Sequence, residues 1–390
     1  MPKKIISILL SLCFVIGLFW GMPVQKASAG SQANIYVAVG DSIAAGYGLP
    51  GYVNQQTNLP ADSYPALVGN FLKTKPVNAA VSGITLQEGI DMLKSGSLDV
   101  SLKKADVITV SLGSNDLLQP FMQSLATTFQ LDPAIFADGV SDEEYAMLLE
   151  VYESYDMLGI LTKLSELSEV LASNALLKEN MENFDSRYEQ LFSLLEEKKA
   201  PDSQIYITNI YNPYSGVAGL SDMIEPYIQT VNQVIAKISK KYGLIDVYSA
   251  FAKKNETNVH FDLQDTSKAN FDPHPSKSGH ATIAGLVINA IKQANTPVKP
   301  VLKKASISKK GKLSVNIKKV KNVSGYEISY STSREGKPVK LKRTKKNSTS
   351  FIVKRFKKKK TYYISVRCYS IKKGVTYYSK YSNAMKVKMK

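Results

Sequence analysis

The chain has 390 residues, a formal net charge of +17, three histidines and two cysteines. That length can bury a real core, and the cysteine count excludes a fold held by several disulfides. The charge is uneven: 29 Lys and Arg face only Glu327 and Glu335 between Lys299 and Lys390, a balance of +27 that leaves −10 on residues 1–297. The chain thus reads as an acidic body joined to a basic tail, and its average isoelectric point describes neither part.

Residues 1–29 read as a secretory signal peptide. Lys3 and Lys4 precede an apolar run from Ile5 to Trp20, and Ala27-Ser28-Ala29 supplies an A-x-A cleavage pattern before Gly30. The apolar run is short for a span of about 20 residues. No later segment is apolar enough to cross a bilayer, so no transmembrane segment is expected after signal removal. Loss of the leader leaves Cys368 as the sole cysteine, which fits export from a bacterium.

The body is expected over residues 30–296. Residues 34–39 form a short β-branched and apolar run stopped by Gly40, the pattern of a buried strand. Asp41 and Ser42 follow, residue types that favour turns and helix N-caps. A helix is expected over 64–72 behind Ser63, with Pro65 in its first turn. A second strand is read at 76–81, a helix at 84–93, and the clearest buried strand at 106–112. From about 117 to 180 the chain is helical in character. It is read as an insertion with its own small core, and alternatively as a lid or acyl-binding wall. A capping-box signature at Ser141-Asp142-Glu143-Glu144 opens one of its helices. A helix at 184–199, a strand at 205–210, a helix at 224–242, a strand at 244–248 and a helix at 279–291 close the body. Strands alternating with helices imply an α/β fold with a parallel sheet covered on both faces.

Ser42 falls at the carboxyl end of the first strand, where open α/β sheets bind ligands. Serine becomes a useful nucleophile only beside a base. Of the three histidines, His260 sits in a polar loop and reads as exposed, and His280 reads as a cap or surface residue. His274 lies between Pro273 and Pro275 in a loop before the last helix, with Asp272 two residues earlier. A carboxylate there can orient the imidazole. Gly83 ends the second strand with a backbone N–H, and Asn115 ends the third with a side-chain amide. Both suit the stabilisation of an oxyanion. Asp41 and Asp116 read as turn-holding residues. No paired histidines or carboxylates stand at ligand spacing, so no metal and no cofactor are expected.

These four segments resemble the blocks of the SGNH, or GDSL, hydrolase family. Gly40-Asp41-Ser42 is similar to the first block, Ser82-Gly83 to the second, Gly113-Ser114-Asn115-Asp116 to the third and His274-Pro275 to the last. The resemblance covers about residues 34–294. It implies a flavodoxin-like three-layer sandwich and metal-free hydrolysis of esters or thioesters. It implies Ser42 as nucleophile and His274 as base, with an oxyanion hole from the N–H groups of Ser42 and Gly83 and the Asn115 amide. The family places its aspartate three residues before the histidine, where this chain has Phe271. Either Asp272 or a backbone carbonyl then orients His274.

Residues 297–302, with two prolines, suit an extended linker. From 303 to 390 the pattern becomes period two, as in Lys312-Leu313-Ser314-Val315-Asn316-Ile317, and turn signals separate short strands. This implies an all-β immunoglobulin-like sandwich. Phe356 followed by Tyr362 has the spacing of a tyrosine corner, and the segment resembles a fibronectin type III domain. Its charge favours an anionic cell envelope. A nucleic-acid partner is not expected, because no recognition fold is visible. The expected protein is a secreted serine esterase, retained on the bacterial cell wall. Its substrate is a lipid acyl ester or an acetylated sugar. The alternative is a wall-binding protein with an idle hydrolase body.

Overall fold

A computed structural model describes residues 34–388, except 54–57, 137–141, 218, 263–269, 271, 345–348, 355 and 358. The leader read at 1–29 lies outside the described residues, as do Ser141 and Phe271.

Five strands build the body: β1 (Tyr36–Gly40), β2 (Val77–Ala80), β3 (Val107–Ser111), β4 (Gln204–Thr208) and β5 (Gly243–Ile245). All pair in parallel, in the order β2-β1-β3-β4-β5. β1 and β3 are buried along their whole length. Helices cover both faces of such a sheet, so its central strands read as unbroken apolar runs. This order is flavodoxin-like. The chain leaves β1 in one direction for β2 and returns on its other side as β3. A crevice therefore opens at their carboxyl ends.

Side-chain caps set the helix starts. Ser63 accepts from Ala66 N at 3.4 Å to open helix Tyr64–Leu72. Thr85 and Glu88 close a reciprocal capping box on helix Leu86–Lys94. The last expected strand is shorter than its apolar run. Asp246 Oδ1 accepts from Ser249 N at 3.0 Å, which starts helix Val247–Phe251 immediately after β5. The final helix, Lys277–Asn295, begins behind Ser276.

Between β3 and β4 run helices Asn115–Thr128, Asp142–Glu153, Met157–Ser173 and Ala175–Lys198. The expected separate core of this insertion is not found. Leu148, Leu167, Leu171 and Leu177 are buried in the same cluster as the sheet residues. One side of these helices is apolar and the sheet offers the nearest apolar surface, so the two cores merge.

The C-terminal part is an antiparallel sandwich. One sheet has the order β10-β7-β6, from β6 (Leu302–Ile307), β7 (Lys312–Ile317) and β10 (Ser350–Lys354). The other has the order β12-β11-β8-β9, with β13 also on β11. It comprises β8 (Gly325–Ser331), β9 (Val339–Arg343), β11 (Thr361–Lys372), β12 (Val375–Tyr378) and β13 (Met385–Lys388). Leu313, Val315, Tyr326, Ile328, Ile364 and Val366 fill the space between the sheets. Tyr362 Oη accepts from Lys357 N at 3.1 Å, and its ring meets Phe356 edge-on at 4.6 Å.

The β11–β12 hairpin docks on the body. Val375 and Tyr377 are buried in the cluster of the parallel sheet. Lys373 Nζ lies 2.6 Å from Asp106 Oδ1, and Asn34 Nδ2 donates to the Lys373 carbonyl at 3.1 Å. Asn34 and Asp106 precede β1 and β3. The sandwich therefore braces the amino-terminal end of the sheet, opposite the crevice.

Candidate active site

The site grows from the turn after β1. Gly40 is required there, since a Cβ would stand 2.5 Å from Ala44 Cβ and 2.9 Å from the Ser111 carbonyl oxygen. Asp41 N donates to that same carbonyl at 3.1 Å, and Asp41 Oδ1 accepts from Ile43 N at 3.0 Å. These bonds set the short helix Ser42–Ala45. Ser42 is its first residue and is 6% exposed.

Ser42 Oγ lies 2.8 Å from His274 Nε2. His274 Nδ1 lies 2.5 Å from Asp272 Oδ1. A carboxylate only accepts, so Nδ1 carries the proton and Nε2 is left to accept from the serine hydroxyl. The Asp272 side chain, not a backbone carbonyl, meets the imidazole. The loop that presents them is tied on several sides. His260 N donates to the His274 carbonyl at 2.9 Å, Ser276 N to the Asn258 carbonyl at 2.8 Å, and Tyr211 Oη to the Pro273 carbonyl at 2.7 Å. Tyr47 covers the imidazole, with ring centres 4.4 Å apart. Burial alone would raise the Asp272 carboxyl. The charge of His274 and its two hydrogen bonds outweigh burial and hold the group below the usual carboxylate range.

Asn115 is buried at the start of helix Asn115–Thr128. One amide hydrogen reaches the Ile84 carbonyl at 2.9 Å, which orients the group and leaves a second donor. Gly83 stands in the loop after β2, with φ +82°. Its carbonyl accepts from Gln119 Nε2 at 3.2 Å. Ser42, Asn115 and His274 line one cleft. Its far wall is apolar: Leu117 and Leu118 from helix Asn115–Thr128, Tyr214, and Ile224 and Ile228 from helix Leu220–Ser239. Among the described residues of the 117–180 segment, Leu117 and Leu118 alone reach this cleft, so that segment supplies part of a wall.

Asp116 Oδ2 accepts from Leu86 N at 2.8 Å, and burial pushes its carboxyl up to about 6. Burial likewise pushes Asp41 up to about 7. Two histidines differ from their sequence reading. His280 is wholly buried inside the last helix and its Nδ1 accepts from Tyr64 N at 3.2 Å. His260 is half-buried, and its backbone N–H is the one bonded to the His274 carbonyl. Among the described residues no group of three or more His, Cys, Asp or Glu is placed to hold a metal ion.

Residues 38–282 match the model of the GDSL-like lipase/acylhydrolase family. The chain belongs to this family. It is therefore an ester-bond hydrolase. The uncharacterized protein YpmR of Bacillus subtilis (strain 168) is 23% identical over 317 residues, 76% of this chain and 99% of that protein. The extracellular lipase of Streptomyces rimosus has a similar structure, with 17% identity, a TM-score of 0.43, and coverage of 66% of this chain and 100% of that one. The sandwich is similar to an Fn3-like protein from Clostridium thermocellum, with 16% identity, a TM-score of 0.19, and coverage of 24% of this chain and 88% of that one.

Sequence reasoning missed the tyrosines of this candidate site. Tyr211 stands three residues past the end of β4, and that place near the strand rim was the available signal. Tyr47 carried none.

Proposed function

We propose that the protein is an exported serine esterase acting on acyl esters with a hydrocarbon chain. Ser42 Oγ attacks the ester carbonyl as His274 Nε2 takes its proton. The backbone N–H groups of Ser42 and Gly83 and the free amide hydrogen of Asn115 receive the charge that gathers on the carbonyl oxygen. The intermediate then collapses. The bond to the leaving alcohol breaks, and His274 returns the proton to that alcohol. Water repeats the sequence on the acyl-serine and releases a carboxylic acid. Asp272 keeps the imidazole in the required tautomer.

The observation that carries this reading is the 2.8 Å contact between Ser42 Oγ and His274 Nε2 at the mouth of an apolar cleft. An acetyl group would leave Leu118, Ile224 and Ile228 without a partner, so the wall favours a longer acyl chain over an acetylated sugar. A p-nitrophenyl ester series from two to sixteen carbons tests it, with a fluorophosphonate probe and S42A as control. Turnover by the wild type and Ser42-dependent labelling are expected. Neither would be seen with an idle body.

The leader pattern at 1–29 supports export, and the +27 tail supports retention on an anionic envelope. Pull-down of the mature chain on cell walls across a salt series tests retention. Binding that ignores ionic strength contradicts it.

A further inference from the structure

His260 has no role in the mechanism above, yet its ring is placed against the machinery. Its Nε2 is buried and makes no hydrogen bond. Its backbone N–H is fixed to the His274 carbonyl, and the neighbouring residue, Val259, bridges to Pro275. The side chain cannot drift far from the catalytic loop.

Gly48 defines what the ring faces. A Cβ at Gly48 would stand 3.3 Å from His260 Nε2 and also 3.3 Å from Asp272 Oδ2. The imidazole nitrogen and the second carboxylate oxygen therefore border one point in space. Gly48 keeps that point clear, and its φ of +77° is one that other residues rarely adopt. Asp272 Oδ1 is already committed to His274 through both the backbone N–H and Nδ1. A nitrogen beside a carboxylate oxygen carries its proton there, because a lone pair would be repelled. A buried N–H without an acceptor is costly, and Oδ2 is an acceptor that borders the same gap. After burial and the larger influence of His274, the charge of His260 also draws the Asp272 carboxyl down.

We infer that His260 is a positioning residue for the catalytic aspartate. In the structure Nε2 and Asp272 Oδ2 border one gap at Gly48 with no hydrogen bond between them, and in the working site the Nε2–H closes that gap onto Oδ2. The carboxylate is then held from two sides, and its angle to the His274 ring is fixed. This role rests on the serine esterase reading of the site. It also accounts for the working of an aspartate only two residues before the histidine: that spacing gathers both His274 donors on Oδ1 and leaves Oδ2 for another partner.

The test is a double-mutant cycle on the purified mature protein with a short-chain p-nitrophenyl ester. H260A lowers kcat about tenfold with KM within about twofold of wild type, because a charge-assisted bond to a group outside the substrate pocket is lost. H260Q, which keeps a donor near the same point, recovers most of the activity. In a D272A background, H260A changes kcat less than about twofold. Should H260A fail to fold, H260F, which fills the site without a donor, takes its place in the cycle. An equal loss with and without Asp272, or full activity of the donor-free variant, overturns the inference. A wild type that neither hydrolyses esters nor labels at Ser42 overturns the reading beneath it instead.

Discussion

Asp272 Oδ1 accepts twice from His274, from the backbone N–H at 2.9 Å and from ring Nδ1 at 2.5 Å. The shortened spacing folds the aspartate back over the first turn of its own loop, so one oxygen fixes both the backbone and the ring. D272A therefore removes orientation and leaves nucleophile and base in place. We expect kcat to fall by about 10²–10⁴-fold, and S42A to cost more. Single-turnover acylation with an activated ester measures both. Equal losses would mean that Asp272 does more than orient.

Asn115 spends one amide hydrogen on the Ile84 carbonyl and keeps one for the site. N115A is expected to lower kcat by about 10²–10³-fold with little change in KM, the signature of a donor used in the transition state. A change confined to KM contradicts that role.

Under this reading, the apolar wall sets the acyl-chain preference. Leu118 is part-exposed on the first turn of its helix, so a larger side chain there narrows the cleft with little strain on the core. Each buried methylene contributes about 0.8 kcal/mol, roughly fourfold in kcat/KM. L118W should reduce kcat/KM for an eight-carbon ester by at least about tenfold relative to a two-carbon ester. An unchanged ratio places the acyl chain elsewhere.

Asp41 caps the helix Ser42–Ala45 and has a second oxygen, Oδ2, buried without a partner among the described residues. Burial pushes its carboxyl from 3.8 up to about 7. The folded protein holds this proton to about pH 7, whereas the unfolded chain releases it near pH 4. The folded state thus binds more protons in that window, and Asp41 erodes stability as pH rises through it. His280 acts in the opposite sense, because burial pushes it down to about 3. The difference between variant and wild type isolates Asp41. D41N keeps a cap, and its gain in Tm over wild type should be larger at pH 8 than at pH 4.5 by at least a few degrees. A gain independent of pH would show that Asp41 is not the titrating group.

The docked hairpin couples sandwich and body. Tyr377 is 5% exposed in the body's cluster, and Lys373 pairs with Asp106 at a half-buried surface. Y377A should cost about 2–4 kcal/mol and K373A no more than about 1 kcal/mol. Calorimetry of the wild type should show one cooperative transition, which Y377A lowers or splits. Two independent transitions in the wild type would refute the coupling.

Most of the frame was legible because burial on both sheet faces writes itself into the chain. The runs that became β1 and β3 carry no polar alternation, and Ser63 marks its helix start by side-chain chemistry that acts within a few residues. The last strand was read too long because Val247 and Tyr248 are apolar whether helical or extended. Only the Asp246 cap separates the two. His280 was read as a cap or surface residue because it stands at the start of the last expected helix. Tyr64, 216 residues away in sequence, supplies the N–H that makes its burial tolerable.

By itself the sequence determined the elements, the family blocks and the charge divide, because each depends on residues within one short stretch. The tertiary structure alone decided how the blocks meet. It placed Asp272 against His274 despite the altered spacing, set His260 beside Asp272 across a glycine, and seated Tyr377 in another part's core. Each of these joins atoms through space between segments that local propensity treats as strangers, and close packing is what selects the partner.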